Sequence, residues 1–157
     1  MPPTILLCTD GSDDALRAIT AGLDLVGRHG RLVLVTVTSA PDAEVLVGSG
    51  HAGAEFTLEE YNQAVTAAQQ NADSTITGAK ETLGIPDAEV RLLKGDPGPA
   101  ICQLATELSA QAIIIGSRGR GRFRRALLGS VSDHVIRHAP CSVIVTGAPH
   151  PEPRGAG

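Results

Sequence analysis

The spacing of apolar positions changes from one segment of the chain to the next and predicts alternating strands and helices. Short apolar runs bounded by polar, glycine or proline residues predict five buried strands, at residues 4–9, 31–38, 88–94, 111–115 and 141–146. Between these runs, apolar residues recur every three or four positions, as they do on one face of a helix. A chain that alternates in this way is typical of a parallel sheet with helices on both faces.

Capping residues mark where two of the helices begin. Ser12 is predicted to begin the first helix, which Gly30 would end. Thr57 and Glu60 have the spacing of a capping box, in which the two residues cover each other's free backbone N–H groups, and they predict the start of a long helix. Its apolar stripe consists of Leu58, Tyr61, Val65, Ala68, Ala72, Ile76, Ala79 and Leu83. The preceding stretch, residues 39–56, is polar and aperiodic, which predicts a loop.

Two further helices complete the pattern. Asp96 and Pro97 predict an N-cap and first residue of the third helix, and the fourth is expected from about Ser130 to His138, before Pro140. Right-handed crossovers then favour an α/β fold with a doubly wound, five-stranded parallel sheet and flavodoxin-like or Rossmann-like layering. A single domain over residues 1–147 is expected, followed by a Pro/Gly-rich tail, 148–157, that is predicted to be disordered.

Composition narrows the class of protein. The chain is 42% hydrophobic but only 2% aromatic, so its core must be aliphatic, and its net charge of −4 argues against a protein that coats nucleic acid with its whole surface. It contains no run near the roughly 18 apolar residues that span a bilayer, and no secretory signal. The three cysteines match no metal or redox spacing, which favours buried thiols in a reducing compartment. A cytoplasmic protein without membrane contact is expected.

A run of glycines and arginines follows the fourth predicted strand and carries the clearest candidate chemistry. Six of the 13 basic residues lie between Arg118 and Arg137, against a single acidic residue, Asp133. The helix that is expected to begin near Ser130 would offer backbone N–H groups at the positive end of its dipole. Such an end binds phosphate, and Arg118 can supply a charge-assisted hydrogen bond.

The same segment has a purely structural alternative. Ser130 and Asp133 also have the spacing of a capping box, so the helix could satisfy its own donors after a loop of arginine and glycine. From this segment alone, phosphate binding is only modestly favoured over a self-capped helix.

Two residues at strand ends are further candidates, because doubly wound sheets bind ligands at the carboxyl ends of their strands. Asp10 follows the first strand and could accept hydrogen bonds from a ribose, or it could be an ordinary turn residue in Asp-Gly-Ser. Val37 lies near the end of the second strand and could present backbone groups to an adenine edge. Taken alone, it is a strand valine.

Several enzyme classes are excluded by missing motifs. The sequence contains no G-x-x-x-x-G-K-[ST], no G-x-G-x-x-G after the first strand and no G-x-S-x-G, which argues against a P-loop NTPase, a Rossmann dehydrogenase and a serine hydrolase. His134 and His138 are four residues apart, but without a third ligand the spacing favours a plain helix face over a metal site. No catalytic residue and no metal ligand is assigned.

Three landmarks together resemble the universal stress protein family over nearly the whole chain. They are T-D-G-S after the first strand, the glycine signature G-x2-G-x9-G-[ST] formed by Gly116, Gly119, Gly129 and Ser130, and G-S-V-S-D-H-V-I-R-H-A-P-C before the last strand. The resemblance implies the ATP-binding type, a nucleotide-dependent regulatory protein of the stress response with an unknown protein partner. It implies ATP with Mg²⁺ or Mn²⁺, the ribose at Asp10 and adenine at the backbone of Val37. The nucleotide-binding residues it implies are Thr9, Asp10, Val37, Gly116, Arg118, Gly119, Gly129, Ser130, Val131 and Ser132.

The resemblance also implies a homodimer that pairs its last strands, here the strand that begins at Cys141 and ends at Thr146. Many members have proline after the cysteine, whereas this chain has Ser142, which restores a backbone donor and leaves the pairing open. Two other functions stay open. One is a weak ATPase or nucleotide-transferring enzyme of the same fold. The other is nucleic-acid binding through the Arg/Gly loop at residues 118–125, which the acidic chain disfavours.

Overall fold

The computed structural model describes residues 1–38, 57–117 and 128–147. The strands in these ranges are β1 (Thr4–Cys8), β2 (Arg31–Thr38), β3 (Glu89–Lys94), β4 (Ala112–Gly116) and β5 (Ser142–Thr146). The helices are α1 (Asp13–Val26), α2 (Leu58–Leu83), α3 (Pro97–Glu107) and α4 (Ser130–His138). The predicted loop at 39–56, the Arg/Gly loop with Arg118 and Gly119, and the predicted tail lie outside the described residues.

The strands form one parallel sheet in the order β3-β2-β1-β4-β5. β1 lies at the centre, where Ile5 is opposite Leu32 of β2 on one side and Ala112 of β4 on the other. The chain moves outward from β1 in one direction through β2 and β3, and in the other through β4 and β5. The doubly wound α/β fold is thereby confirmed, with its reversal of strand order between β1 and β4.

The core lies in two aliphatic layers, one on each face of the sheet. On one face α1 and α2 pack against the sheet, with Ile19 of α1 and Ile114 of β4 fully buried. On the other face lie α3 and α4, with Ile113 of β4 and Val135 of α4 fully buried. Successive side chains of a strand point to opposite faces, which is why Ile113 and Ile114 belong to different layers.

The predicted helix starts are confirmed, and one predicted stop is wrong. Ser12 caps α1 and accepts the N–H of Ala15 at 3.2 Å. The helix ends at Val26, because Gly27 adopts a φ of +85° while its N–H still bonds to Leu23 C=O at 2.8 Å. Gly30 therefore does not end the helix. β4 also runs one residue further than predicted, so that Gly116 is part of the strand.

The long helix α2 has the predicted capping box, but only its second half is covered by described residues. Ala72, Ile76, Ala79 and Leu83 are buried, whereas Leu58 is 77% exposed and Val65 is 36% exposed. Twenty-six residues of helix span about 39 Å, which is longer than a strand of eight residues at about 27 Å. Among the described residues, no helix is both long and apolar enough to cross a membrane.

Candidate functional site

A cavity of about 270 Å³ opens at the carboxyl edge of the sheet, beside the reversal of strand order. Six of the residues predicted from the sequence line this cavity, and they belong to β2, β4 and α4 or directly follow β1. They are Thr9, Asp10, Val37, Gly116, Val131 and Ser132. The structure thus brings together residues that are far apart in sequence. Ligands bind at this position in doubly wound sheets in general.

Asp10 lies where the chain leaves the sheet after β1. Its Oδ1 accepts the backbone N–H of Ser12 at 2.9 Å and the Ser12 hydroxyl at 2.6 Å. These bonds confirm the turn role that the sequence offered for Asp10. They also hold the carboxylate at the cavity wall.

The backbone of Val37 faces the cavity because β1 stops short of it. Thr9 N–H bonds to Val35 C=O at 3.0 Å and so continues the β1–β2 ladder by one residue. The next bonds of a parallel ladder would join Val37 N–H to Thr9 C=O and then Gly11 N–H to Val37 C=O. The pairing of β1 with β2 ends at Cys8 and Val35, however, and Gly11 N–H bonds to Thr9 Oγ1 at 3.0 Å instead. The N–H and C=O of Val37 on the β1 side therefore offer one donor and one acceptor at the cavity wall.

The first turn of α4 borders the cavity and is not capped by a side chain. The N-cap is Gly129, which has no side-chain oxygen, and Ser130 is already the first helical residue. The carboxylate of Asp133 pairs with Arg137 at 3.0 Å rather than with the helix start. The self-capped alternative is therefore wrong, and the positive end of the α4 dipole is directed at the cavity through Val131 and Ser132.

Ser132 holds this helix end in place. Its hydroxyl is buried and donates to Gly116 C=O at 2.6 Å, and Gly129 N–H donates to Ser117 C=O at 2.8 Å. Both bonds join the start of α4 to the end of β4. The Ser132 hydroxyl is thus engaged within the protein, which leaves the backbone N–H of Ser132 for the nucleotide-binding role that the resemblance implies.

The remaining walls are apolar, and sequence reasoning missed them. They are Cys8, Ala15, Val35, Pro97, Ile101 and Ile115. Burial raises the pKa of the Cys8 thiol to about 12, with smaller contributions from Cys102 and Cys141, so this wall is neutral. Cys8, Val35 and Ile115 could have been predicted, because they lie towards the carboxyl ends of β1, β2 and β4. Pro97 and Ile101 reach the cavity only because α3 packs across that face.

Two further predicted residues, Gly129 and Ser130, are described but are not part of the cavity lining. Ser130 is exposed and Gly129 is half-buried, and the two residues directly precede Val131, the first residue of α4 that lines the cavity. Arg118 and Gly119 lie outside the described residues. Among residues 1–38, 57–117 and 128–147, no three metal-ligating side chains form a cluster.

The chain is similar to proteins of one family along most of its length. A family model described as the universal stress protein family matches residues 1–147. A universal stress protein of Thermus aquaticus is 33% identical over 142 residues, 90% of this chain and 96% of that protein. The structure of universal stress protein UspA from Lactobacillus plantarum covers 92% of this chain and 97% of its own, with 22% identity and a TM-score of 0.71. A universal stress protein solved in complex with cAMP covers 92% and 96%, with 25% identity and a TM-score of 0.56.

Proposed function

The chain belongs to the universal stress protein family, and on that premise we propose that its cavity binds ATP and that the bound nucleotide regulates a protein partner. The observation that carries this proposal is the uncapped start of α4 beside a cavity with apolar walls. A helix start without a side-chain cap offers N–H groups and a positive dipole to phosphate, while apolar walls suit a base. The similar protein solved in complex with cAMP supports an adenine nucleotide.

We propose one orientation of the nucleotide in the cavity. The donor and acceptor of Val37 match the N1 acceptor and the exocyclic amino donor of adenine, and Val35 and Ile101 provide apolar surface beside the base. Asp10 is placed to accept from the ribose hydroxyls. The phosphates would then lie at the start of α4, with Arg118 and Gly119 of the glycine signature, Gly129 and Ser130 as further ligands.

A divalent ion, Mg²⁺ or Mn²⁺, would enter with the phosphates. The described residues offer no cluster of three metal-ligating side chains, and hard divalent ions are commonly held by one or two carboxylates together with substrate phosphates. The ion would therefore neutralise phosphate charge, and Asp10 is the carboxylate among the described lining residues.

We propose binding rather than turnover as the main activity, with slow hydrolysis as the alternative. Among the described residues of the cavity there is one carboxylate and no histidine to act as a base. Phosphate release from purified protein and ATP measures the alternative directly. Turnover far above about 10⁻² per second would make the protein an enzyme.

The proposed assembly is a homodimer in the cytoplasm. β5 lies at the edge of the sheet, where the unpaired backbone groups of a strand can pair with a second chain. The three cysteines are free, which supports a reducing compartment.

A matched pair of substitutions tests the ATP site. Proline is tolerated at the first residue of a helix, and Gly129 has the φ of −69° and ψ of 155° that proline requires of the residue before it. Ser130→Pro therefore removes one N–H donor and the hydroxyl without breaking α4, whereas Ser130→Ala removes the hydroxyl alone. A hydrogen bond to a charged group contributes about 1.5–3 kcal/mol, so the proline variant should bind ATP roughly 10- to 100-fold more weakly than the alanine variant.

Calorimetric titration with ATP and with adenosine measures this difference, because adenosine lacks phosphate and should bind both variants equally. Circular dichroism checks that α4 is retained. Equal ATP affinity in the two variants would contradict the proposal. Nucleic-acid affinity that falls steeply with salt and survives Gly119→Ala would instead favour the Arg/Gly loop as an RNA or DNA site.

A further inference from the structure

Two histidines stack on the surface of α4, outside the cavity lining. The ring centroids of His134 and His138 are 4.2 Å apart, and the ring planes are inclined by 22°. The Nδ1 atom of His138 lies 2.9 Å from the backbone C=O of His134. Sequence spacing alone favoured a plain helix face, and the ring positions add information that spacing does not contain.

The hydrogen bond of His138 assigns its tautomer. A carbonyl oxygen only accepts, so Nδ1 carries the hydrogen, and in the neutral ring Nε2 keeps its lone pair. Histidine ligands of metals usually donate their second ring N–H to a carbonyl or a carboxylate in this way, which orients the ring. His138 thus has the supporting hydrogen bond of a metal ligand before any metal binds.

The position of His134 is restricted by a neighbouring helix. Its ring lies against Gly98 at the start of α3, so closely that a Cβ added to Gly98 would be 2.7 Å from His134 Cγ. His134 is half-buried by this contact, whereas His138 is exposed and can rotate towards it. The lone pair of an imidazole nitrogen lies in the ring plane, so the nearly parallel rings do not yet converge on one point. To share an ion with His134, the exposed ring of His138 must tilt out of the stack.

The charges around the pair are already neutralised. Arg137, which lies between the two histidines in sequence, forms an ion pair with Asp133 at 3.0 Å. The guanidinium is therefore compensated and repels a cation less than a free arginine would. The Asp133 carboxylate is engaged in the same pair, which leaves the two imidazoles as the ligands of this face.

We propose that His134 and His138 bind a divalent transition-metal ion of the class of Ni²⁺, Zn²⁺ or Cu²⁺. Imidazole nitrogens are the preferred protein ligands of these ions, at about 2.0–2.1 Å for zinc, and two histidines four residues apart on a helix can reach one ion. Water would complete the coordination. This site is separate from the divalent ion that would accompany nucleotide phosphates, and it does not depend on the proposed ATP binding.

Titration of the full chain with NiCl₂, in a buffer free of nucleotide and chelator, tests the proposal. We expect one nickel site whose affinity falls about tenfold or more in His134→Gln and likewise in His138→Gln. His29→Gln is the matched control, because His29 follows α1 and is distant in sequence from α4, and it should bind nickel like the original chain. Nickel should also raise the Tm of the original chain and of the control, but not that of the α4 variants.

Any one of three results would overturn the proposal: absence of a nickel site, unchanged nickel affinity in the two α4 variants, or an equal loss of nickel affinity in His29→Gln. Tm values measured without metal show whether the two α4 variants fold. We expect them to fold, because the side chains of His134 and His138 are at least partly exposed. ATP titration with Mg²⁺ on the same variants keeps the two proposals apart, because the nucleotide site should be unaffected by His138→Gln.

Discussion

At the scale of single residues, two helical glycines show that one residue type serves different needs. Gly22 lies in α1 directly against the fully buried Ile114, and a Cβ there would be 3.2 Å from Ile114 Cδ1 and closer still to Cγ2. Gly78 lies in α2, and a Cβ there would have nothing within 4 Å. The first glycine lets a helix approach the sheet, whereas the second has no packing role among the described contacts.

These surroundings predict opposite effects of the same substitution. Gly78→Ala should raise the free energy of unfolding by about 0.5–1 kcal/mol, because alanine favours the helix. Gly22→Ala gains the same propensity but overpacks the core, at a cost of about 1–3 kcal/mol, so the protein should become less stable. Urea unfolding of both variants measures the difference. A stabilised Gly22→Ala variant would mean that α1 can move away from β4 at little cost.

The same scale separates what the sequence could predict of the site from what it could not. Asp10 and Val37 were predictable because they follow strands, and strand ends meet at one edge of a parallel sheet. The engagement of Ser132 with Gly116 was not predictable, because it depends on how α4 docks against β4. Pro97 and Ile101 could not be predicted as lining residues for the same reason, because the packing of a helix across a sheet leaves no local sequence motif.

At the scale of elements, the sequence predicts where helices begin more accurately than which of their turns are buried. Both halves of the α2 capping box are present, with Glu60 N–H bonding to Thr57 Oγ1 at 3.2 Å and Thr57 N–H bonding to Glu60 Oε2 at 2.7 Å. Capping is a local interaction, so residues that are close together in the sequence are sufficient to predict it. Which turns of α2 are buried depends on where the sheet ends, and Leu58 and Val65 were therefore predicted on a core face that described residues do not cover.

Loss of the cap predicts a measurable and pH-dependent change. Thr57→Ala should lower the free energy of unfolding by about 1 kcal/mol at neutral pH. Thr66→Ala is the control, because the Thr66 hydroxyl only bonds back to Asn62 C=O in mid-helix. Since alanine is the better helix former, this variant should be as stable as the original chain or slightly more stable. Thermal unfolding followed by circular dichroism compares the two.

The pH dependence follows from Glu60. The hydrogen bond from the Thr57 backbone lowers the pKa of the Glu60 carboxyl. A depressed pKa contributes stability above the unfolded value, and that contribution is lost as the pH falls through the folded value. Thr57→Ala keeps this backbone donor but removes the hydroxyl, which also donates to Glu60 Oε2 at 3.0 Å and also lowers the pKa of that carboxyl. The difference in the free energy of unfolding between Thr57→Ala and the original chain should therefore shrink on acidification. An effect that stayed constant down to pH 3 would contradict a role for the ionised carboxylate.

At the scale of the whole molecule, the register of β5 decides how two chains could pair. Ser117 N–H donates to Thr146 C=O at 2.9 Å, so the backbone of Thr146 faces β4 and, by alternation, that of Val145 faces the open edge. The same alternation turns the backbone of Ser142 towards β4. The backbone N–H that Ser142 has in place of a proline therefore belongs to the β4–β5 ladder and not to the open edge. The sequence alone does not show which of the two sides this N–H faces.

This register predicts a variant that separates pairing from folding. Val145→Pro removes an edge donor and should give a folded monomer, because proline is tolerated on edge strands. Ile144→Pro removes a bond to β4 and should unfold the protein. Sedimentation of the original chain and of Val145→Pro measures the state of association. A folded Val145→Pro dimer would place the interface elsewhere.

The central position of β1 also has a consequence for the order in which the protein is made. β1 is synthesised before the other four strands of this sheet, yet its partner β4 lies more than a hundred residues later, with Ile5 opposite Ala112. At about 5–20 residues per second, that interval lasts roughly 5–20 s. During this time the apolar segment Thr4–Cys8 has an open edge on the β4 side. The strand on which both halves of the sheet are built is therefore the one whose pairing must wait longest during translation.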